Sequence, residues 1–271
     1  MSVKKEPNGR RSVQVEVEVP GTPEEVWQAI ATGPGVSSWF VPTEVDERAG
    51  TVTLDFGPGM RSVAKVTAWD PPRRFAAESS WGPNSPPVAT EWTVEARSGG
   101  TCIVRVVHSL FADTDDWDGQ LEGTESGWPG FFRILRLYLT HFRGLPCSAI
   151  RVLAVTPEPE SKAWETLVGS LGLAGAAAGQ RRNSPAGVPP FVGMVEAVPE
   201  TPEHHSMILR LDQPAPGIAS LGAYACGGPV MVAMTFYLYG DRAAAAVAQH
   251  EPAWQKWMSE QFPSVSQPTI T

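Results

Sequence analysis

The stretch VEVPGTPEEVWQAIATGPGVSSWF, from Val17 to Phe40, carries the signals that decide the fold of this chain. It continues a segment, Val13–Val19, in which valines alternate with polar residues. Such a two-residue period predicts a strand with one buried face. Pro20-Gly21 ends the alternation, so the strand passes directly into whatever follows the turn.

A capped helix follows that turn. The Thr22 hydroxyl can accept a backbone N–H, Pro23 suits the first helical position, and Glu25 stands where a capping box requires it. The buried face of this helix is predicted to consist of Val26, Trp27 and Ile30. Gly33-Pro34-Gly35 breaks the helix, and a short second turn leads to Trp39 and Phe40.

The next part of the chain reads as an antiparallel meander that ends in one long helix. Alternation predicts strands at Thr51–Phe56, Arg61–Trp69, Arg73–Trp81, Val88–Arg97 and Thr101–Leu110. An acidic run follows, and we interpret it as a solvated entry to the helix: Asp113, Asp115, Asp116 and Asp118. The long amphipathic helix is predicted over residues 127–144, where apolar residues recur at helical spacing.

This order, with the TPEEVWQAI segment, Trp39 and the Gly127-Trp128 start of the long helix, resembles the START-related SRPBCC superfamily. Within it, the sequence looks most like the family named for the activator of a heat-shock chaperone's ATPase. The resemblance covers residues 12–145, behind a flexible tail at 1–11. It implies an α+β helix-grip (Bet v-like, START-like) fold, in which a curved antiparallel sheet wraps on a long C-terminal helix and leaves a ligand cavity.

The second half of the chain repeats this pattern in degenerate form. Aligned with the first helix, Trp164 falls on Trp27, and strands and a last helix follow at Asp241–Phe262. We therefore predict a second helix-grip-like domain at 146–263 and a tail at 264–271. Nothing there matches Trp39-Phe40, so three roles stay open for this unit: a lid, a homodimer surface or a collapsed domain.

Composition excludes several classes of function. The net charge is −8 and the basic residues are scattered, which argues against binding to nucleic acid or anionic membrane. The three cysteines, Cys102, Cys147 and Cys226, are far apart, which is typical of reduced thiols in a cytoplasmic protein. The polar N-terminus is not a signal peptide, and no apolar run is long enough for membrane insertion. No cofactor and no metal are expected.

The candidate site is the space between the sheet and the long helix. Core packing and cavity lining are both open for its aromatic residues, because aromatic side chains fill any core. The candidate ligand-binding residues are Trp39, Phe40, Phe56, Trp69, Phe75, Trp92, His108, Phe132 and Leu135, and Trp81 belongs to the same aromatic set. We expect Trp27 to anchor the first helix inside, and Trp39 and Phe40 to lie at the cavity mouth.

His108 is the lone ionisable group on the apolar face of its strand, and it is either a ligand-orienting group or a satisfied core histidine. No motif for a nucleophile, a phosphate loop or a dinucleotide site is present. Cys102 lies about 20 Å along the strand from His108 and cannot pair with it. His204-His205 reads as an exposed loop or strand edge and makes a poor metal pair.

Three functions are compatible with these features. The first is binding of a small hydrophobic or aromatic molecule or a lipid, without covalent catalysis. The second, which the superfamily resemblance implies, is a polyketide cyclase or aromatase that uses His108 as acid or base, with Thr90 or Ser79 as its polar partner. The third, which the family resemblance implies, is a co-chaperone that stimulates a chaperone ATPase.

Overall fold

The structure is a computed structural model, and it describes residues 3–57, 59–80, 82, 85–112, 114–201, 204–225 and 228–263. Trp81, Asp113, Cys226 and the predicted tail at 264–271 lie outside these residues. The chain divides into two compact units, Met1–Arg143 and Gly144–Thr271. Each unit is described by itself below.

In the described part of the N-terminal unit there are eight strands and three helices. They are β1 (Lys4–Lys5), β2 (Arg10–Pro20), α1 (Pro23–Ala31), α2 (Gly33–Ser37), β3 (Thr43–Asp46), β4 (Thr51–Asp55), β5 (Arg61–Asp70), β6 (Arg74–Ser80), β7 (Pro87–Arg97), β8 (Thr101–Phe111) and α3 (Asp118–His141). The strands form one antiparallel sheet in the order β1-β2-β8-β7-β6-β5-β4-β3. The long helix α3 packs on one face of this sheet, so the predicted α+β helix-grip fold is confirmed.

The start of α1 matches the prediction from the sequence. The Thr22 hydroxyl accepts the backbone N–H of Glu25, and the Glu25 carboxylate accepts the backbone N–H of Thr22, which completes the capping box. Val26, Trp27 and Ile30 are buried. The glycine at position 35 allows α2 to approach α1 closely, because a Cβ there would collide with the carbonyl oxygen of Gln28.

The long helix begins nine residues earlier than the sequence indicates. The prediction placed its start at Gly127, whereas α3 begins at Asp118 and includes Gly119 and Gly123. Each glycine disfavours a helix interior by about 1 kcal/mol relative to alanine, which is why propensity pointed to a later start. Tertiary contacts of Asp118, described below, hold this additional segment. The short strands β1 and β3 were not predicted either.

The described residues of the C-terminal unit form six strands and two helices. They are β9 (Cys147–Thr156), α4 (Glu160–Ser170), β10 (Arg181–Asn183), β11 (Val192–Ala197), β12 (Ser206–Gln213), β13 (Gly217–Ala225), β14 (Val230–Tyr239) and α5 (Ala243–Gln261). The sheet order is β10-β11-β12-β13-β14-β9, and every pairing is antiparallel. The unit therefore repeats the strand–helix–meander–helix order of the first unit, as the tandem prediction required.

The core of the C-terminal unit is apolar at its centre. Trp254 of α5 is fully buried and packs against Phe236 of β14, with ring centroids 4.6 Å apart. Among the described residues, the Trp254 indole N–H has no hydrogen-bond partner. Such an unpaired buried donor costs about 1–3 kcal/mol.

Candidate functional site

The candidate site of the N-terminal unit is built on the sheet face that carries α3. Cross-strand register places Trp69 opposite Phe75, Phe75 opposite Trp92, and Trp92 opposite Val106. Because directly paired residues share a face, these side chains form one row across four strands. His108 and Thr90 form the next row on the same face, two residues further along β8 and β7.

Aromatic rings from the sheet, from α3 and from the segment after α1 meet above this face. Neighbouring ring centroids lie 4.5–6.2 Å apart. The members of this aromatic cluster are Trp39, Phe40, Trp92, Trp128, Phe131 and Phe132. Trp39, Phe40, Trp92 and Phe132 were predicted as site residues. The predicted residue Leu135 is fully buried on α3, one turn beyond the cluster. Trp128 and Phe131 were not named as site residues, although their spacing on α3 could have suggested them.

His108 is held inside the cluster by hydrogen bonds at both ring nitrogens. The indole N–H of Trp128 donates to His108 Nε2 at 2.8 Å, and the two rings stack with centroids 5.7 Å apart. An indole nitrogen can only donate, so Nε2 carries no proton. His108 Nδ1 therefore carries the proton, and this N–H donates a hydrogen bond to Thr90 Oγ1 at 2.9 Å. The hydrogen-bond chain Trp128–His108–Thr90 therefore runs in one donor-to-acceptor direction, from Trp128 to Thr90.

Burial also determines the charge of His108. It lowers the pKa of the imidazole from 6.5 to about 4, so the ring is neutral at neutral pH. A general base needs a free acceptor nitrogen and a pKa near the working pH. Because His108 has neither in this structure, the geometry disfavours an acid–base role and favours a satisfied polar group inside the aromatic cluster.

The rim of the site is formed by three phenylalanines. Phe40 makes edge-on contacts with Phe56 at 5.9 Å and with Phe131 at 4.5 Å. Phe56 follows β4 and is 45% exposed, whereas Phe40 is 8% exposed. Phe40 therefore lies between solvent-facing Phe56 and the interior ring of Trp128, on which it stacks at 5.4 Å.

Trp39 does not lie at the mouth, contrary to the sequence-based expectation. It is 1% exposed, and its indole N–H donates to the carbonyl oxygen of Ala29 in α1 at 2.9 Å. The two-residue segment Trp39-Phe40 thus sends one ring into the core and one to the rim. Trp39 connects α1 to the sheet, since its ring also meets Trp92 edge-on.

Trp69 and Phe75 occupy a different part of the same face. Trp69 packs edge-on against Trp27 of α1 at 5.2 Å and against Phe75 at 5.4 Å. Trp69 is 39% exposed, whereas Phe75 is buried. These two predicted site residues therefore anchor α1, as Trp27 was expected to do. Phe75 is also the cross-strand neighbour of Trp92 in the aromatic cluster.

The acidic run before α3 is an ion cluster and not only a solvated helix entry. Arg11 reaches Asp118 at 2.7 Å and Asp115 at 2.7 Å, and Lys5 reaches the same two carboxylates at 2.8 and 3.0 Å. Burial raises the pKa of Asp118, but the hydrogen bonds from Lys5 and Arg11 outweigh it and hold the pKa below its usual value. This ion cluster ties the first turn of α3 to β1 and β2.

We expect the ion cluster to keep the glycine-containing first half of α3 folded. In Asp118→Asn, amide hydrogen exchange in residues 118–127 should become several-fold faster, because this half has weak intrinsic helix propensity. The matched control is Glu16→Gln, which removes the exposed pair with Arg105 on the other sheet face. Equal exchange in both variants would show that the ion cluster does not support the helix.

The described cysteines do not contribute a nucleophile to this site. Cys102 is buried on β8, and burial raises the pKa of its thiol. Its sulfur donates to the carbonyl oxygen of Gly21 at 3.3 Å. Cys147 begins β9 in the other unit.

Among the described residues, no helix is long and apolar enough to cross a membrane.

A curved antiparallel sheet that carries a long C-terminal helix and an aromatic interior defines an SRPBCC protein of the START-like class. The sequence comparison agrees with this class, since residues 10–143 match the family model described as polyketide cyclase/dehydrase and lipid transport. This match spans nearly the whole N-terminal unit.

Several solved structures are similar to this chain. The di-domain ARO/CYC BexL, from the BE-7585A biosynthetic pathway, is 13% identical over 94% of this chain and 100% of its own, with a TM-score of 0.45. DynU16, a protein from the dynemicin biosynthetic locus, is 17% identical over 90% and 94%, with a TM-score of 0.42. The Aha1 dimer from Colwellia psychrerythraea is 21% identical over 49% and 98%, with a TM-score of 0.40. These scores mark remote likeness, and a comparison with curated proteins finds no match.

Proposed function

We propose that the N-terminal unit binds a small hydrophobic or aromatic molecule, or a lipid, between the sheet and α3, without covalent catalysis. The observation that carries this proposal is the aromatic cluster with one directed polar chain, Trp128–His108–Thr90, inside it. Small-molecule sites typically combine an apolar lining with a few placed polar groups. The family match of residues 10–143 supports the same class of function.

The rings of the aromatic cluster contact one another, so a ligand that enters between them must displace at least one ring. The ring with the lowest expected cost of displacement is Phe40, because it lies in the short connection between α2 and β3 and not inside a helix or strand. Trp92, on β7, and Phe132, on α3, are fixed by regular elements on either side of the site. We therefore infer that an entering ligand takes the position of the Phe40 ring and packs against Trp92 and Trp128.

Replacing Phe40 by alanine tests this inference. If the ring must leave before a ligand enters, Phe40→Ala should bind an apolar probe about tenfold more tightly, because re-exposing a phenyl ring costs about 1.5–3 kcal/mol. The measurement is a fluorescence titration with N-phenyl-1-naphthylamine, a neutral aromatic probe whose emission rises in apolar surroundings.

Phe111→Ala is the matched control, because it removes the same atoms from a position outside the cluster. Phe111 is the last residue of β8 and is 63% exposed. Its probe affinity should equal that of the unmodified protein. Trp92→Leu should bind the probe more weakly, since it removes part of the inner wall. The proposal fails if the probe does not saturate, or if Phe40→Ala and Phe111→Ala give the same affinity.

A further inference from the structure

The C-terminal unit has an open groove beside α4. In the N-terminal unit, Trp69 covers the equivalent side of α1. The groove has a volume of about 560 Å³ and lies between α4 and the segment that leads into β12. Its walls include Trp164, Glu165, Glu200, Thr201, His204 and His205. It is distinct from the aromatic cluster, which belongs to the other unit, so it does not depend on the function proposed above.

Comparison of the two units explains why the groove exists. Trp164 on α4 corresponds to Trp27 on α1, and the connection from β11 to β12 corresponds to that from β5 to β6. In the first unit, Trp69 at the end of β5 covers the Trp27 indole. In the second unit, His205 takes that place, and its ring centroid is 6.2 Å from that of Trp164. The Trp164 side chain is half-buried and forms part of the groove wall.

His205 is held in one orientation by a carboxylate. Its Nδ1 lies 3.0 Å from Oε1 of Glu160, and the other carboxylate oxygen accepts the backbone N–H of Ala225 at 3.2 Å. The His205 side chain is only 10% exposed. A carboxylate accepts hydrogen bonds, so Nδ1 carries the proton, and Nε2 of the neutral imidazole is then an acceptor. Because the side chain is largely buried, the sequence-based interpretation of His205 as an exposed residue is wrong.

The charge of the groove selects among ligands. Glu165 and Glu200 add carboxylates to the wall, and among the described residues that line the groove none is a lysine or arginine. An indole face binds flat aromatic rings and organic cations. The carboxylates of Glu165 and Glu200 disfavour an anionic ligand here by charge repulsion.

From these contacts we propose that the groove binds an aromatic amine that also carries a hydrogen-bond donor such as a phenolic hydroxyl. The ring packs on Trp164, the hydroxyl donates to His205 Nε2, and the ammonium group lies near Glu165 and Glu200. The pair Glu160–His205 acts by positioning the acceptor, and no bond is made or broken.

The test is a two-dimensional NMR titration of the tryptophan indole N–H signals with three matched probes. Tyramine has the ring, the hydroxyl and the ammonium group; phenethylamine lacks the hydroxyl; 4-hydroxyphenylacetate replaces the ammonium group by a carboxylate. The Trp164 signal, assigned from Trp164→Phe, should shift saturably with tyramine. Phenethylamine should bind about tenfold more weakly, as expected for one lost hydrogen bond, and the anion should give no saturable shift.

Two histidine variants separate the groove acceptor from a structural effect. In His205→Asn, the amide can still donate to Glu160 but no atom replaces Nε2, so tyramine should bind about tenfold more weakly with an unchanged melting temperature. His250→Asn, on α5 and outside the groove lining, should bind like the unmodified protein. The proposal is overturned if the anion binds as well as tyramine, if His205→Asn retains full affinity, or if the Trp164 signal does not respond up to about 10 mM probe.

Discussion

Between pH 6.5 and pH 4, His108 is expected to remove about 3 kcal/mol from the unfolding free energy of the N-terminal unit. In the unfolded chain the imidazole takes up a proton near pH 6.5, whereas burial delays protonation of the folded state to about pH 4. The unfolded state therefore binds more protons across this range, and stability falls as the pH falls. Above pH 6.5 and below pH 4 this contribution no longer changes.

The variant His108→Gln isolates this effect. It should be less stable than the unmodified protein at pH 8, because the bonds to Trp128 and Thr90 are disturbed, but its stability should decline less towards pH 4. Denaturant-dependent hydrogen exchange of β8 peptides, measured by mass spectrometry at several pH values, reports on this unit alone. His141→Gln, at the exposed end of α3, is the control. A parallel pH dependence in His108→Gln and the unmodified protein would contradict the assignment.

Replacing Trp39 by alanine should destabilise the N-terminal unit by about 3–5 kcal/mol, the usual cost of removing a large buried aromatic side chain. The loss combines a cavity beside Trp92 with the missing hydrogen bond to Ala29. Trp39→Phe keeps a ring and removes the donor, so it should cost less. Hydrogen exchange of α1 peptides under denaturant measures the change.

Trp69→Ala is the comparison for Trp39→Ala, because both variants lose an indole that packs on the same face of the sheet. Since Trp69 is 39% exposed, its loss should cost clearly less stability. If both variants lose the same free energy, Trp39 is not the internal connection between α1 and the sheet. This expectation follows from the interior position of Trp39, whereas the sequence-based expectation placed it at the cavity mouth.

The elements that the sequence predicts well are those whose signals are local. The capping box at Thr22 and Glu25, and the alternation that defines β2 and β7, depend on neighbouring residues only. The second unit could be found for the same reason, since its strand and helix periods repeat those of the first. The fold class followed from the order of these elements.

The parts that the sequence could not predict depend on contacts between distant segments. Arg11 and Asp118 are 107 residues apart, and their bond moves the start of α3. The Trp128 indole fixes the proton on His108, and no spacing rule links these two positions. Likewise, His205 has a role in the groove only because Glu160, 45 residues earlier, orients it. The co-chaperone and cyclase alternatives stay predictions.

The position of His108 in the first sheet is occupied by a different residue in the second sheet, and this difference affects how the protein refolds. His108 is the fourth residue from the end of β8 and pairs with Thr90, and Phe236 is the fourth from the end of β14 and pairs with Ala219. The ring that responds to acid in one unit is thus a phenyl ring in the other. Acid therefore acts at this position on the N-terminal unit alone, and unfolding of that unit in chains whose C-terminal unit is still folded becomes more frequent. Tandem proteins in such a state are prone to misassembly between chains, which makes neutral pH the safer condition for refolding and storage.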